Sequence, residues 1–255
     1  MLPSLKGLRV SLMICLSLLS LVGLMIPVHA TLSLDGSAEA SFTAGYPPSY
    51  PPATTNVTSI ALTTTHPKDL IVIGVIFVGV YGTNVTSITD TGGLAYSLRA
   101  RFAKTSPSCF PAQIEEWYSF AETGLTSDLI TVRLSSSRVG IAGIIGWGIA
   151  GGSRTSFDRS PSFPGLAVET DCSQEVSTAF TTHSSNDFVF GLFAINDGGE
   201  NPGPGFTSLS GYGNFGGFMD MMYMVASRPL ANSSASFTGD SMAMIIDAVQ
   251  LAGPF

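Results

Sequence analysis

The chain has 255 residues, 45% of them hydrophobic and 11% charged, with 18 Asp and Glu against 11 Lys and Arg, a formal net charge of −7. Nucleic acid and anionic membranes are gripped by clustered Lys and Arg, so this sparse, acidic charge set excludes nucleic acid as a partner and argues against a membrane surface.

Residues 1–30 read as a signal peptide. Lys6 and Arg9 form the basic start, Val10 to Ile26 the apolar run, and Val28 and Ala30 the small residues of a cut after Ala30. Cleavage leaves Thr31 to Phe255, two charges more negative, in a secreted, extracellular or cell-surface location. Leu70–Tyr81 and Val139–Gly151 are also apolar, but each falls well short of the roughly 20 residues of a spanning helix. They read as strands buried on both faces, so no membrane partner is expected after cleavage.

Residues 31–45 hold an extended strand. From Leu32 to Ala44 every even position is apolar or small, and from Thr31 to Thr43 every odd position is polar. Period-2 alternation places the two sets on opposite faces. Residues 46–56 follow as a Pro-rich hinge whose two Tyr-Pro-Pro units favour a stiff polyproline spacer. The rest, 57–255, reads as short strands with Gly, Pro, Asn and Asp between them. Strands are expected at Val57–Thr63, Leu70–Val80, Val85–Thr89, Ala95–Phe102, Gln113–Phe120, Leu129–Leu134 and Val139–Ile149. A second set runs Val176–Thr182, Phe188–Ile195, Thr207–Ser210, Phe218–Ala226, Ala235–Thr238 and Met242–Leu251.

The two sets resemble each other. Thr64-Thr65-His66 before Asp69 matches Thr181-Thr182-His183 before Asp187, Val85–Ile88 matches Phe206–Leu209, and Tyr118–Ala121 matches Tyr223–Ala226. The fold expected is all-β: a jelly-roll-like antiparallel β-sandwich of two similar half-repeats, one sheet packed on the other, preceded by the extended N-terminal strand. With both halves complete, that strand is surplus: it either opens its own sandwich, crossing to an edge through the stiff hinge, or is meant for another copy of the protein.

Cys109 and Cys172 most simply form one disulfide in an oxidising compartment, closing a loop of about 60 residues and contributing about 4 kcal/mol; two free buried thiols are the alternative. Asn56, Asn84 and Asn232 begin glycosylation triplets. The Asn196–Asn201 loop offers Asp197 and Glu200 as calcium ligands, joined by Asp90, Asp158 or Asp171 from other loops, although without EF-hand spacing; a solvated hairpin loop is the alternative. His66 and His183 occupy matching turns, where capping explains them better than metal binding. Adjacent Glu115 and Glu116 face opposite ways on a strand and cannot flank one glycosidic bond. No nucleophile elbow accompanies the two histidines. No catalytic residue is assigned, and the protein is not expected to be an enzyme.

The Thr63-Thr64-Thr65-x-x-x-Asp69-Leu70-Ile71-Val72 hairpin, the Val85–Asp90 run and the Trp117-Tyr118 strand resemble secreted jelly-roll proteins of bacterial and archaeal cell surfaces. With its leading alternating strand, the chain looks like the subunits of archaeal extracellular threads and cannulae. That resemblance implies a jelly-roll core, donor-strand linkage, frequent glycosylation and, in the cannula branch, calcium. The expected function is a structural or adhesive filament subunit that polymerises with other copies of itself. Residues 31–44 would enter a neighbour's sandwich, with Leu32, Leu34 and Phe42 as anchors and Ala38 and Ala40 passing a narrow groove. The alternative from the residues is a secreted carbohydrate-binding module, calcium-dependent through the Asn196–Asn201 loop, with Tyr46, Tyr50 and Tyr212 as a platform for surface glycans.

Overall fold

Runs of β-branched and aromatic residues, each stopped by Gly, Pro, Asn or Asp, become strands, and no helix occurs among the described residues. The computed structural model describes residues 32–42, 55–78, 82–104, 112–136, 141–151, 157–168, 175–195, 201–209, 219–238 and 241–250. The first eight strands are β1 Ser33–Ser41, β2 Val57–Leu62, β3 Asp69–Val78, β4 Val85–Thr89, β5 Ser97–Lys104, β6 Ala112–Ala121, β7 Asp128–Leu134 and β8 Ile141–Ala150. The next eight are β9 Gly165–Val168, β10 Glu175–Phe180, β11 Phe188–Ile195, β12 Asn201–Pro202, β13 Thr207–Leu209, β14 Met219–Val225, β15 Ser233–Thr238 and β16 Ser241–Val249.

Among the described residues all strand pairs are antiparallel, in four sheets. The first half has the orders β1-β8-β3-β6-β5 and β2-β7-β4, and the second β9-β16-β11-β14-β13 and β10-β15-β12. Adding eight to each label of the first pair gives the second pair. Two sheets were expected in all, one from each half; each half instead builds two sheets of its own.

Alternation explains the layering. On β3, Ile71, Ile73, Val75 and Phe77 face Ile60, Leu62, Ile130 and Val132 of the small sheet, making the first half's own core. Leu70, Val72 and Ile76, on the other face, join Trp147 and Ile149 against Phe188, Phe190, Leu192 and Ile245 of the second half. Trp147 meets Phe190 edge to face at 5.3 Å between centroids. Val176, Phe180, Val189, Phe193 and Ile246 make the second half's core. Fully burying each such side chain contributes about 1.5–3 kcal/mol, so the shared central layer binds the halves as a core does, not as a surface contact.

Three sequence correspondences change. Thr207–Leu209 forms β13 beside β14, the place of β5, and does not correspond to β4. The turn match shifts by one: Thr64 donates its amide to Leu125 O as Thr182 does to Leu230 O, so the two histidines are not equivalent. Lastly, β9 pairs with β16 as β1 pairs with β8. The leading strand is therefore the first strand of the first half. It is not surplus: its counterpart is the four-residue Gly165–Val168, inside the Gly-, Ser- and Pro-rich stretch that carries no strand period.

Candidate functional site

The N-terminal strand and its seat form the candidate site. β1 lies at the edge of its sheet, with β8 its one sheet neighbour among the described residues. Leu34 is opposite Ile149 and Ala40 opposite Ile144, but the register slips between Leu34 and Ser37. That bulge inserts one extra residue and reverses the parity of the strand. Leu32 and Leu34 consequently join the central layer, whereas Ala38, Ala40 and Phe42 join the first half's core. The single apolar face expected from the alternation is thus two faces in two cores.

Gly36 makes the bulge possible. Its φ is +87°, and a Cβ there would lie 2.0 Å from the Thr63 carbonyl oxygen. Any side chain would collide with backbone, so the position requires glycine.

Asp35, beside the bulge, latches β1 to the turn between β2 and β3. The Thr65 and His66 amides donate to its Oδ2, each at 2.8 Å, and the Thr65 hydroxyl donates to Oδ1 at 2.8 Å. His66 Nδ1 lies 2.9 Å from Oδ2. Burial alone would raise the Asp35 carboxyl, but the His66 and Thr65 hydrogen bonds outweigh it and hold it well below the usual range. Asp69, at the start of β3, is buried behind this latch, with Asp35 and Thr64 as polar neighbours. Burial, reinforced by the Asp35 charge, pushes it up to about 6.

The second half repeats the device with different residues. Asp158 accepts from the Ser160 and His183 amides, each at 2.6 Å. Asp187 accepts from the Ser184 amide at 3.1 Å, and burial next to Asp158 pushes it up to about 7. In each half a carboxyl group held by amides therefore faces a buried carboxyl that favours its proton. The protonated partner can donate to the other, which resolves an otherwise costly juxtaposition.

A third carboxyl pair joins the halves. Arg99 on β5 donates through Nε to Asp247 Oδ2 at 2.7 Å and through Nη2 to Oδ1 at 3.2 Å, and stacks 4.3 Å over Phe157. Glu116 on β6, fully buried, faces Asp247 on β16. Burial and the Asp247 charge raise Glu116 well above its ordinary range, so the proton resides on Glu116 while Arg99 pairs with Asp247. Glu115 points the other way and binds Arg101, Gln113 and Trp117 Nε1. The two glutamates do lie on opposite faces.

Of the other sequence candidates, Asp197, Glu200, Cys109, Cys172, Tyr46, Tyr50 and Tyr212 lie outside the described residues. Among the sequons, Asn56 donates its amide to Leu134 O at 3.2 Å and Asn84 accepts from Gln113 at 3.0 Å, whereas Asn232 is exposed. Met219 and Met221 fill the central layer, and Met222 and Met244 the second half's core. No helix among the described residues is long and apolar enough to cross a membrane. Comparison of the chain with protein-family models, curated proteins and solved structures gives no match.

Proposed function

We propose that this protein is an exported structural subunit of an extracellular filament, linked when β1 leaves the edge of its own sheet and takes the same place in the next subunit. One observation carries the reading: a chain-terminal strand, beginning where the signal peptide is expected to be cut, occupies a sheet edge and fills two cores. An exchanged strand makes the same contacts in its neighbour as at home, so the exchange costs little at equilibrium and extends head to tail without closing. Within this reading each eight-stranded half is jelly-roll-like: its strands alternate between its two sheets except at the β5–β6 and β13–β14 hairpins, which stay in one sheet, and the first strand lies beside the last. The Pro-rich residues 46–56 act as the spacer across which β1 reaches its neighbour.

The test is removal of residues 31–45 with electron microscopy of the mature product. The full-length mature protein should form filaments and an SDS-resistant ladder, and the truncated protein should not. A full-length protein that stays monomeric, or filaments that persist after truncation, overturns the proposal.

A further inference from the structure

We propose that Asp35 and Asp69 form a pH-sensitive latch, which keeps β1 on its sheet edge in mild acid and lets the strand leave toward neutral pH. Its part in assembly rests on the proposed strand exchange; the latch itself works wherever β1 is seated.

The two carboxyls belong to elements that part when β1 leaves. Asp35 lies at the bulge of β1, whereas Asp69 opens β3, which is held between β8 and β6. While β1 is seated, the Thr65 and His66 amides and the Thr65 hydroxyl, each at 2.8 Å, occupy the Asp35 oxygens and hold the group ionised. Asp69 stands behind it with no exposed surface. The groups that face Asp69 are Asp35 from β1 and Thr64 and His66 from the turn. Lys68 beside it, and Glu122 next to its β6 partner Ala121, are exposed.

A proton on Asp69 lets the two carboxyls share this space. Its loss leaves two negative charges where bulk water does not reach. Departure of β1 relieves this twice, since it removes the Asp35 charge and uncovers the side of Asp69 that Asp35 faces. Asp69 is pushed up to about 6 with β1 seated and returns toward 3.8 when the strand leaves. The open form therefore gives up a proton, and opening gains as pH rises between these values. At tenfold per unit the gain is at most about 100-fold. Asp35 has the reverse sign but acts only in stronger acid, because its donors hold it low. The matching pair of the second half cannot work this way: Asp158 lies between β8 and β9, so loosening it frees no chain end.

The test is hydrogen exchange of the mature protein from about pH 4.5 to about 7, followed by mass spectrometry and corrected for the intrinsic pH dependence of exchange. Opening of Ser33–Ser41 should rise by about tenfold to 100-fold, while residues 71–76 of β3 stay better protected at each pH. Asp69→Asn, with folding checked by circular dichroism, should flatten the rise, and Asp187→Asn should leave it in place. The latch is overturned if β1 of the natural protein is equally protected throughout, or exchanges only as fast as β3. A rise that survives in folded Asp69→Asn, as it would if His66 alone set it, overturns the latch equally. Exchange reads the seat whether it is in the same copy or the next. A pH-dependent β1 in a protein that never forms filaments therefore supports the latch and overturns the proposed function alone.

Discussion

Raising the pH from about 4.5 to about 8 is expected to destabilise this fold, and replacing Asp69 and Asp187 with Asn is expected to remove much of the loss. Asp69 moves from 3.8 to about 6 on folding and Asp187 from 3.8 to about 7. A carboxyl raised on folding binds its proton more tightly in the folded chain. Its contribution is complete below the unfolded value and disappears as pH climbs through the folded one. At about 1.4 kcal/mol per unit, these shifts correspond to about 3 and about 4 kcal/mol, lost between roughly pH 4 and pH 7. Asp35 has the opposite sign: held low, it loses its contribution as pH falls below the ordinary carboxylate range. The stability maximum therefore lies in mild acid. Asn at position 69 or 187 can donate permanently to Asp35 or Asp158, in place of the acid proton. Urea unfolding followed by the fluorescence of Trp117 and Trp147, across that pH range, measures both effects. A natural protein that is equally or more stable at pH 8, or a doubly substituted one that declines as steeply, would refute the reasoning.

Gly36→Ala is expected to lower stability by about 3 kcal/mol or more, because backbone clash and a left-handed conformation add; an unchanged melting temperature would mean that the bulge is not present. Arg99→Ala removes the guanidinium that holds the buried Asp247 ionised between the halves, at a cost of about 3–5 kcal/mol. Adding Asp247→Asn should recover part of this, which a double-mutant cycle by chemical denaturation would reveal. Expressed in a glycosylating host, the protein should carry more glycan at Asn232 than at Asn56 or Asn84, whose side chains are engaged. Peptide mass spectrometry measures the three occupancies.

The regular strands were legible because alternation and turn residues are local signals: Val85–Thr89 and Phe188–Ile195 appear where the sequence places them. β9 was missed because four residues inside a Gly-, Ser- and Pro-rich stretch carry no period, and β12 because it is two residues long and includes a proline. The bulge was hidden for a different reason. An extra residue reverses the parity of β1 as the strand passes from one core to another, so the alternation by number runs on unbroken across a change of face. The carboxyl pairs were half legible. The Thr-Thr turn before each Asp was visible as a repeat, but Asp35 is 30 residues from Thr65, and Asp158 is 25 from His183. Only the fold brings those partners together.

The place of β1 also fixes an order of events. The Ser41 hydroxyl finds the Ala142 carbonyl 101 residues further along the chain, and β9 likewise waits for β16. Sequence-distant closures of this kind are slow steps in folding. A chain delivered N-terminus first presents β1 well before β8 exists, and at synthesis rates of about 5–20 residues per second that interval is on the order of ten seconds. During that time the strand is made but its own seat is not. Each copy of the chain therefore begins life with its first strand free, and the pace of delivery determines how long it stays so.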